Sequence, residues 1–276
     1  MNVIAAINGQ ITAEVSAFYA LHFARVHGFP LRLLHILNPA DNIEAVEKSM
    51  ATIERVAEKY GMATKRVVLG GPPIRTIEQY LLEHSSEILF CSTRYHQRKN
   101  LFNLSFSQKL SSMTLPADLA VVRVVHPRTT LSTKNILLFI RGNRLSVEKF
   151  TFFASMAKAY KASCEIYSVS VVGKRQRARL DRGQVKLMLK NNDDRLSHYK
   201  QLAKHMDIPL RLKHSIAVNE MDQVLYHLSH TNFDLVIVGG ERLSMYSSMS
   251  KAKPIERLHR STSVNTISFY LRGGAR

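Results

Sequence analysis

Two short runs, 147 positions apart, do most to limit what this chain can fold into. Glu87-Ile88-Leu89-Phe90-Cys91-Ser92-Thr93 and Asp234-Leu235-Val236-Ile237-Val238-Gly239-Gly240 each set an acidic residue before four unbroken apolar residues and then small ones. Apolar residues without alternation describe a strand covered on both faces, as in the centre of a parallel sheet. In open α/β sheets ligands gather at the carboxyl ends of such strands. The residues that end these two runs are therefore the first candidates for function.

The flanking patterns supply the remaining elements. Strands are expected at Val3–Ile7, Leu31–Leu37, Lys65–Leu69 and Leu119–Val125, with helices before Gly28, over Ile43–Tyr60, through Ile74 to Leu82 and near Leu104–Met113. Gly28 and Gly61 stop helices, and Asn38-Pro39 breaks a strand. Alternation of strand and helix points to a doubly wound parallel sheet. After the proline-broken stretch from His126 the programme restarts: Asn2-Val3-Ile4-Ala5-Ala6-Ile7-Asn8-Gly9 is answered by Asn135-Ile136-Leu137-Leu138-Phe139-Ile140-Arg141-Gly142, shifted by 133 positions. A helix over Val147–Tyr160, a strand over Cys164–Val172, a helix near Asp194–His205, a strand over Leu210–Ser215 and a helix over Met221–Leu228 follow. The difference between the two shifts, 14 residues, is accommodated near 173–183. The expected organisation is two tandem α/β domains, 1–126 and 134–271, joined by a linker at 127–133.

Charge separates the halves. Residues 1–133 carry 14 Lys and Arg against 10 Asp and Glu, whereas residues 134–276 carry 25 against 11, within a net charge of +18. A field of that sign draws anions without choosing among them. The insertion concentrates it in Lys174, Arg175, Arg177, Arg179 and Arg182, which read either as an anion-binding arm or as a solvated insertion. No aromatic residue is interleaved there to stack on bases. The longest apolar runs are strand-sized, so no membrane span is expected, and the first residues form a strand pattern rather than a signal peptide. A cytoplasmic protein is expected. Cys91 and Cys164 fall in apolar strands and read as buried thiols, while His227 and His230, three apart on a helix, read as a surface pair with no metal.

With its strand openings Val3–Gly9 and Ile136–Gly142, its second strand Leu34-His35-Ile36-Leu37 and the two organising strands, nearly the whole chain resembles a tandem universal stress protein. The resemblance implies Rossmann-like five-stranded sheets of order 3-2-1-4-5, a crevice for ATP or a related adenine nucleotide beside strands one and four, and pairing of fifth strands, internally or in a homodimer. The family's loop after strand four, Gly-x2-Gly-x9-Gly-Ser/Thr, lets backbone N–H groups approach phosphates. Here the aligned residues are Ser92, Tyr95, Ser105 and Phe106 in the first domain, and Gly239, Arg242, Ala252 and Lys253 in the second. Both loops are degenerate. The aspartate that ends the family's first strand is Asn8 in one domain and Arg141 in the other.

With both loops degenerate, the resemblance implies a non-enzymatic stress-response protein that acts through contacts with an unidentified protein partner. Two alternatives stay open. One is an adenine-nucleotide sensor using the second domain, through Val169, Gly239, Gly240, Arg242, Lys251 and Lys253, with Asn8, Ser92, Thr93 and Ser105 as the counterparts in the first. The other is nucleic-acid binding through the basic insertion. No paired acid and base, Gly-x-Ser-x-Gly elbow or Gly-x4-Gly-Lys-Ser/Thr loop appears.

Overall fold

The computed structural model describes residues 1–93, 105–128, 132–142, 145–240 and 254–273. These form two compact units: the first holds the chain to Ser132 together with Gly240 and the segment from Asn265, and the second runs from Thr133 to Gly239 with the stretch up to Val264.

In the first unit, β1 (Asn2–Ala6), α1 (Ile11–His27), β2 (Leu31–Ile36), α2 (Ile43–Lys59), β3 (Thr64–Leu69), α3 (Pro73–Glu83), β4 (Ser86–Thr93), α4 (Phe106–Ser112) and β5 (Asp118–Arg123) follow in order. The strands lie β3-β2-β1-β4-β5, all parallel, which is the expected order. Central strands are dry because both faces are covered: Val3, Ile4, Leu89 and Phe90 have no exposed surface. Ala13, Ala17, Ala20 and Ala24 give α1 a small-residue stripe, and the helix is buried along most of its length.

That burial takes in His22. Loss of hydration, joined by the nearby Arg25 charge, lowers its pKa from 6.5 to about 4. The unfolded chain therefore takes up this proton first as pH falls. Stability is complete above pH 6.5 and declines toward pH 4, by about 3 kcal/mol at about 1.4 kcal/mol per unit. Burial lowers His27 and His214 in the same direction. Urea midpoints at pH 7 and pH 4.5 check this expectation, and His22→Phe should flatten the difference.

The second unit contains β6 (Asn135–Ile140), α5 (Val147–Tyr160), β7 (Ser163–Val171), α6 (Lys174–Arg179), α7 (Arg182–His205), β8 (Leu210–Ala217), α8 (Glu220–His230), β9 (Leu235–Gly239) and α9 (Pro254–Ser261). Its strands lie β9-β6-β7-β8, all parallel. The order of the first unit is repeated up to the fourth strand. The closing strand of the second repeat, β10 (Asn265–Tyr270), instead belongs with the first unit, where it runs antiparallel to β5 with Thr266 opposite Arg123 and Tyr270 opposite Leu119. The fifth strands of the two repeats thus pair with each other.

One side chain fixes the start of β10. Asn265, fully buried, accepts from the backbone N–H groups of Val125 (2.7 Å) and His126 (2.9 Å), and its amide donates to the His126 carbonyl (2.9 Å) and the Tyr19 hydroxyl (3.1 Å). At the other end, Arg272 bonds Glu87 (2.7 Å) and Asp118 (3.2 Å). The acidic residues that precede the organising strands therefore hold structure. Glu87 is in this ion pair, and Asp234 accepts from the backbone N–H groups of Lys134 (2.7 Å) and Asn135 (2.9 Å) at the start of β6.

Two expectations are corrected. The insertion forms α6 and the N-terminal start of α7, so the helix expected near Asp194 begins at Arg182. Its start is set by a capping box in which Asp181 accepts from the Gln184 N–H and Gln184 accepts in return from the Asp181 N–H. His227 is not at the surface: only 5% exposed, it donates from Nε2 to Glu165 Oε1 at 2.6 Å and stacks on Tyr167 at 4.2 Å. The partner sits 62 residues away, so no local pattern announces it.

Candidate functional site

At the carboxyl ends of β1, β2 and β4 the first unit encloses a cavity of about 290 Å³. The position is the switch point of the sheet, where neighbouring connections leave toward opposite faces. Its apolar wall comes from Ala6, Ile7, Leu34, Ile77 and Phe106, and its polar groups are Asn8, Asn38, Asp41 and Ser92. Two of the residues expected at the first nucleotide crevice, Asn8 and Ser92, are thus brought to one cavity.

The turn that carries Asn8 is built by the chain itself. Asn8 Oδ1 accepts from the Gln10 N–H at 3.2 Å, and the Ile7 carbonyl is bonded to His35 Nδ1 at 2.9 Å. Gly9 has φ +74°, and a Cβ there would stand 2.9 Å from the Val46 nitrogen, so the turn and the close approach to α2 both require glycine. Asp41 lies 3.7 Å from His35 Nε2. Cys91 also lines the cavity, but burial pushes its thiol up to about 12, which keeps it protonated and a poor nucleophile; Cys164, buried as well, moves equally far.

Thr93 and Ser105 are committed elsewhere. Ser105 is the N-cap of α4 in a capping box with Gln108, and Ser107 Oγ donates to Thr93 Oγ1 at 2.8 Å. Phe106 forms cavity wall where the family loop has its phosphate hydroxyl. The described lining contains one carboxylate and no Lys or Arg. Such a surface, with an apolar wall and amide and hydroxyl groups at its edge, suits a flat ligand with hydrogen-bonding edges.

In the second unit the equivalent positions are occupied by the protein. A Cβ on Gly239 would stand 2.7 Å from Lys149 Cδ and 2.8 Å from its Nζ, so the Lys149 chain lies directly on the end of β9. Arg141, which replaces the strand-ending acid, pairs with Glu220 at 3.3 Å. Glu220 also accepts from the Gly142 N–H at 3.4 Å, and Arg195 donates to the Gly142 carbonyl at 2.8 Å. Val169 is buried in the core with Tyr167 and Val238. Gly240 packs under Tyr270 in the first unit: its N–H donates to the Phe269 carbonyl at 2.7 Å, and a Cβ would meet the ring at 2.3 Å. Arg242, Lys251 and Lys253 lie outside the described residues. Of the basic insertion, Lys174, Arg175, Arg177 and Arg179 are exposed on α6 and Arg182 opens α7.

Comparison with known proteins locates this architecture. No family model and no curated protein sequence matches the chain. Solved structures do. A universal stress protein from Archaeoglobus fulgidus is similar with a TM-score of 0.61 and 14% identity, 98% of each chain being covered. A functionally unknown protein from Pseudomonas aeruginosa gives 0.60 and 12%, covering 98% of this chain and 92% of its own. The cytoplasmic domain of a prokaryotic cation chloride cotransporter gives 0.59 and 13%, covering 100% and 96%. At such identities the likeness is one of fold, and with both repeats included it identifies the chain as a tandem protein of universal-stress-protein architecture.

Proposed function

We propose that the chain is a non-enzymatic sensor of the stress-response type, in which the first domain takes a small uncharged nucleoside-like ligand and passes its occupancy on through protein contacts. The observation that carries this reading is the cavity at the ends of β1, β2 and β4, with amide groups at Asn8 and Asn38, a carboxylate at Asp41 and no cation in its described lining. Asparagine amides can meet the donor and acceptor edges of a base, and a carboxylate can accept from a sugar diol. A triphosphate would bring negative charge beside Asp41. In the second domain Lys149 covers Gly239 and Arg141 is tied to Glu220, which argues against that domain as the nucleotide site.

Thermal melts with millimolar adenosine or millimolar ATP at fixed salt test this reading. A ligand at a hundred times its Kd stabilises by about 2.7 kcal/mol, which raises the Tm by a few degrees in domains of this size. Adenosine should give the larger shift, and Ser92→Leu, which fills the cavity, should abolish it. A larger shift with ATP, or no shift with either, would overturn the reading.

A further inference from the structure

Among the described residues β8 is an edge strand of the second unit, paired only with β7. The carbonyls of Pro209 and Ala217 accept from Cys164 and Val172 on the β7 side. Because the strand repeats every two residues, the backbone groups of Leu212, His214 and Ile216 face away from β7. These same three residues line two adjoining hollows of about 400 and 410 Å³ between β8 and the helices α6 and α7, with Leu189 common to both. An unpaired row of N–H and C=O groups therefore runs along a groove, where it is a template for another strand.

The groove has an apolar floor and a cationic rim. Leu180, Val185 and Leu189 supply floor on the helical side, and Leu189 is still 43% exposed. Arg177, Lys186, Lys190 and Lys213 supply the rim. None of these four side chains is ion-paired among the described residues, whereas the one carboxylate of the lining, Asp193, is taken by Lys200 at 2.5 Å. Arg182, Lys186 and Lys190 follow one another at four-residue spacing on α7, where like charges repel along the helix. The corresponding edge of the first unit is treated differently: on β3, Arg66 is neutralised by Glu54 of α2 through contacts of 2.8 and 2.5 Å. On β8 and α7, by contrast, Lys186, Lys190 and Lys213 line the groove with no acid against them among the described residues.

We propose that this groove receives an extended acidic segment of a partner protein, which adds to β8 as a further strand and sets its carboxylates against Arg177, Lys186, Lys190 and Lys213. Strand addition draws affinity from backbone hydrogen bonds and specificity from alternate side chains. In a segment alternating acidic and apolar residues one set of side chains falls on the α7 side of the sheet, where the acids meet Arg177, Lys186 and Lys190, and the apolar set falls on the other side. Nucleic acid fits less well, because the lining offers bases no Phe, Tyr or Trp to stack on.

Fluorescence anisotropy on the full chain tests the proposal with three probes: a labelled octapeptide alternating glutamate and valine, its fully N-methylated counterpart, and a single-stranded thymidine oligonucleotide of equal charge. The alternating peptide should bind, and its affinity should fall as salt rises. N-methylation, which keeps the charge and removes the backbone donors, should weaken it at least about tenfold, as should Lys186→Glu/Lys190→Glu/Lys213→Glu. If that variant melts early, the triple glutamine replacement should weaken binding in the same direction. Equal binding of the N-methylated peptide, tighter binding of the oligonucleotide, or absence of peptide binding would each overturn the proposal.

Discussion

Replacing Glu165 by alanine should destabilise the second unit by about 1 to 3 kcal/mol, the usual cost of leaving a buried hydrogen-bonding group without its partner. Glu165 and His227 are 6% and 5% exposed, so water cannot replace the lost 2.6 Å contact. The damage extends past one bond. His227 is also stacked on Tyr167, packs edge-on to Phe233, and reaches Thr231 through its other ring nitrogen at 3.3 Å. His227→Ala should therefore cost at least as much, because it opens a cavity beside Tyr167 as well. A double-mutant cycle separates the pair from the packing: the two single losses should overlap, with a coupling above about 1 kcal/mol. Urea unfolding followed by circular dichroism and tyrosine fluorescence is suitable, since the chain contains no tryptophan. Additive losses would show that the contact contributes little of its own.

Asn265→Leu should weaken the first unit by about 2 kcal/mol, since a buried polar group left unsatisfied costs about 1 to 3 kcal/mol and, of its partners, Tyr19 is fully buried while Val125 is half-buried and His126 exposed. The near-isosteric leucine fills the space but strands the N–H groups of Val125 and His126 and removes the donors to the His126 carbonyl and the Tyr19 hydroxyl. The expected signature is local. Amide hydrogen exchange should quicken first along β10 and its β5 partners Leu119 to Arg123, while Val3 to Ala6 of β1 stay protected until global unfolding. Asn265→Asp should also destabilise, because the carboxylate keeps both acceptor contacts and loses both donors. If β10 and β1 exchange together in the leucine variant, Asn265 does not act as a local anchor.

The parts of this protein legible in its sequence are those set by short-range pattern. The doubly wound repeat could be read from Ile88–Cys91 and Leu235–Val238 because a strand covered on both faces has no polar side to interrupt its apolar run. Asn8 and Ser92 could be placed at one crevice because strand order brings the ends of β1 and β4 together whatever surrounds them. The first turns of α7 gave less away. Their apolar residues do not make a buried stripe, since only Asn192, Leu196, Tyr199 and Ala203 are buried along the whole helix. The signal that was present, Asp181 followed three positions later by Gln184, is a capping box too short to stand out in a basic insertion.

What the amino-acid order determined alone is the element programme, its duplication and the concentration of positive charge in the second half, because propensity, periodicity and charge act over a few residues. Tertiary structure decided which crevice stays open, where the last strand pairs and which cations go unpaired. Lys149 reaches Gly239 from 90 positions away, Asn265 finds Val125 across 140, and Glu54 meets Arg66 while Lys186 and Lys190 meet no acid among the described residues. These outcomes depend on side chains brought together only once the sheet has formed, and local sequence carries no term for such distances.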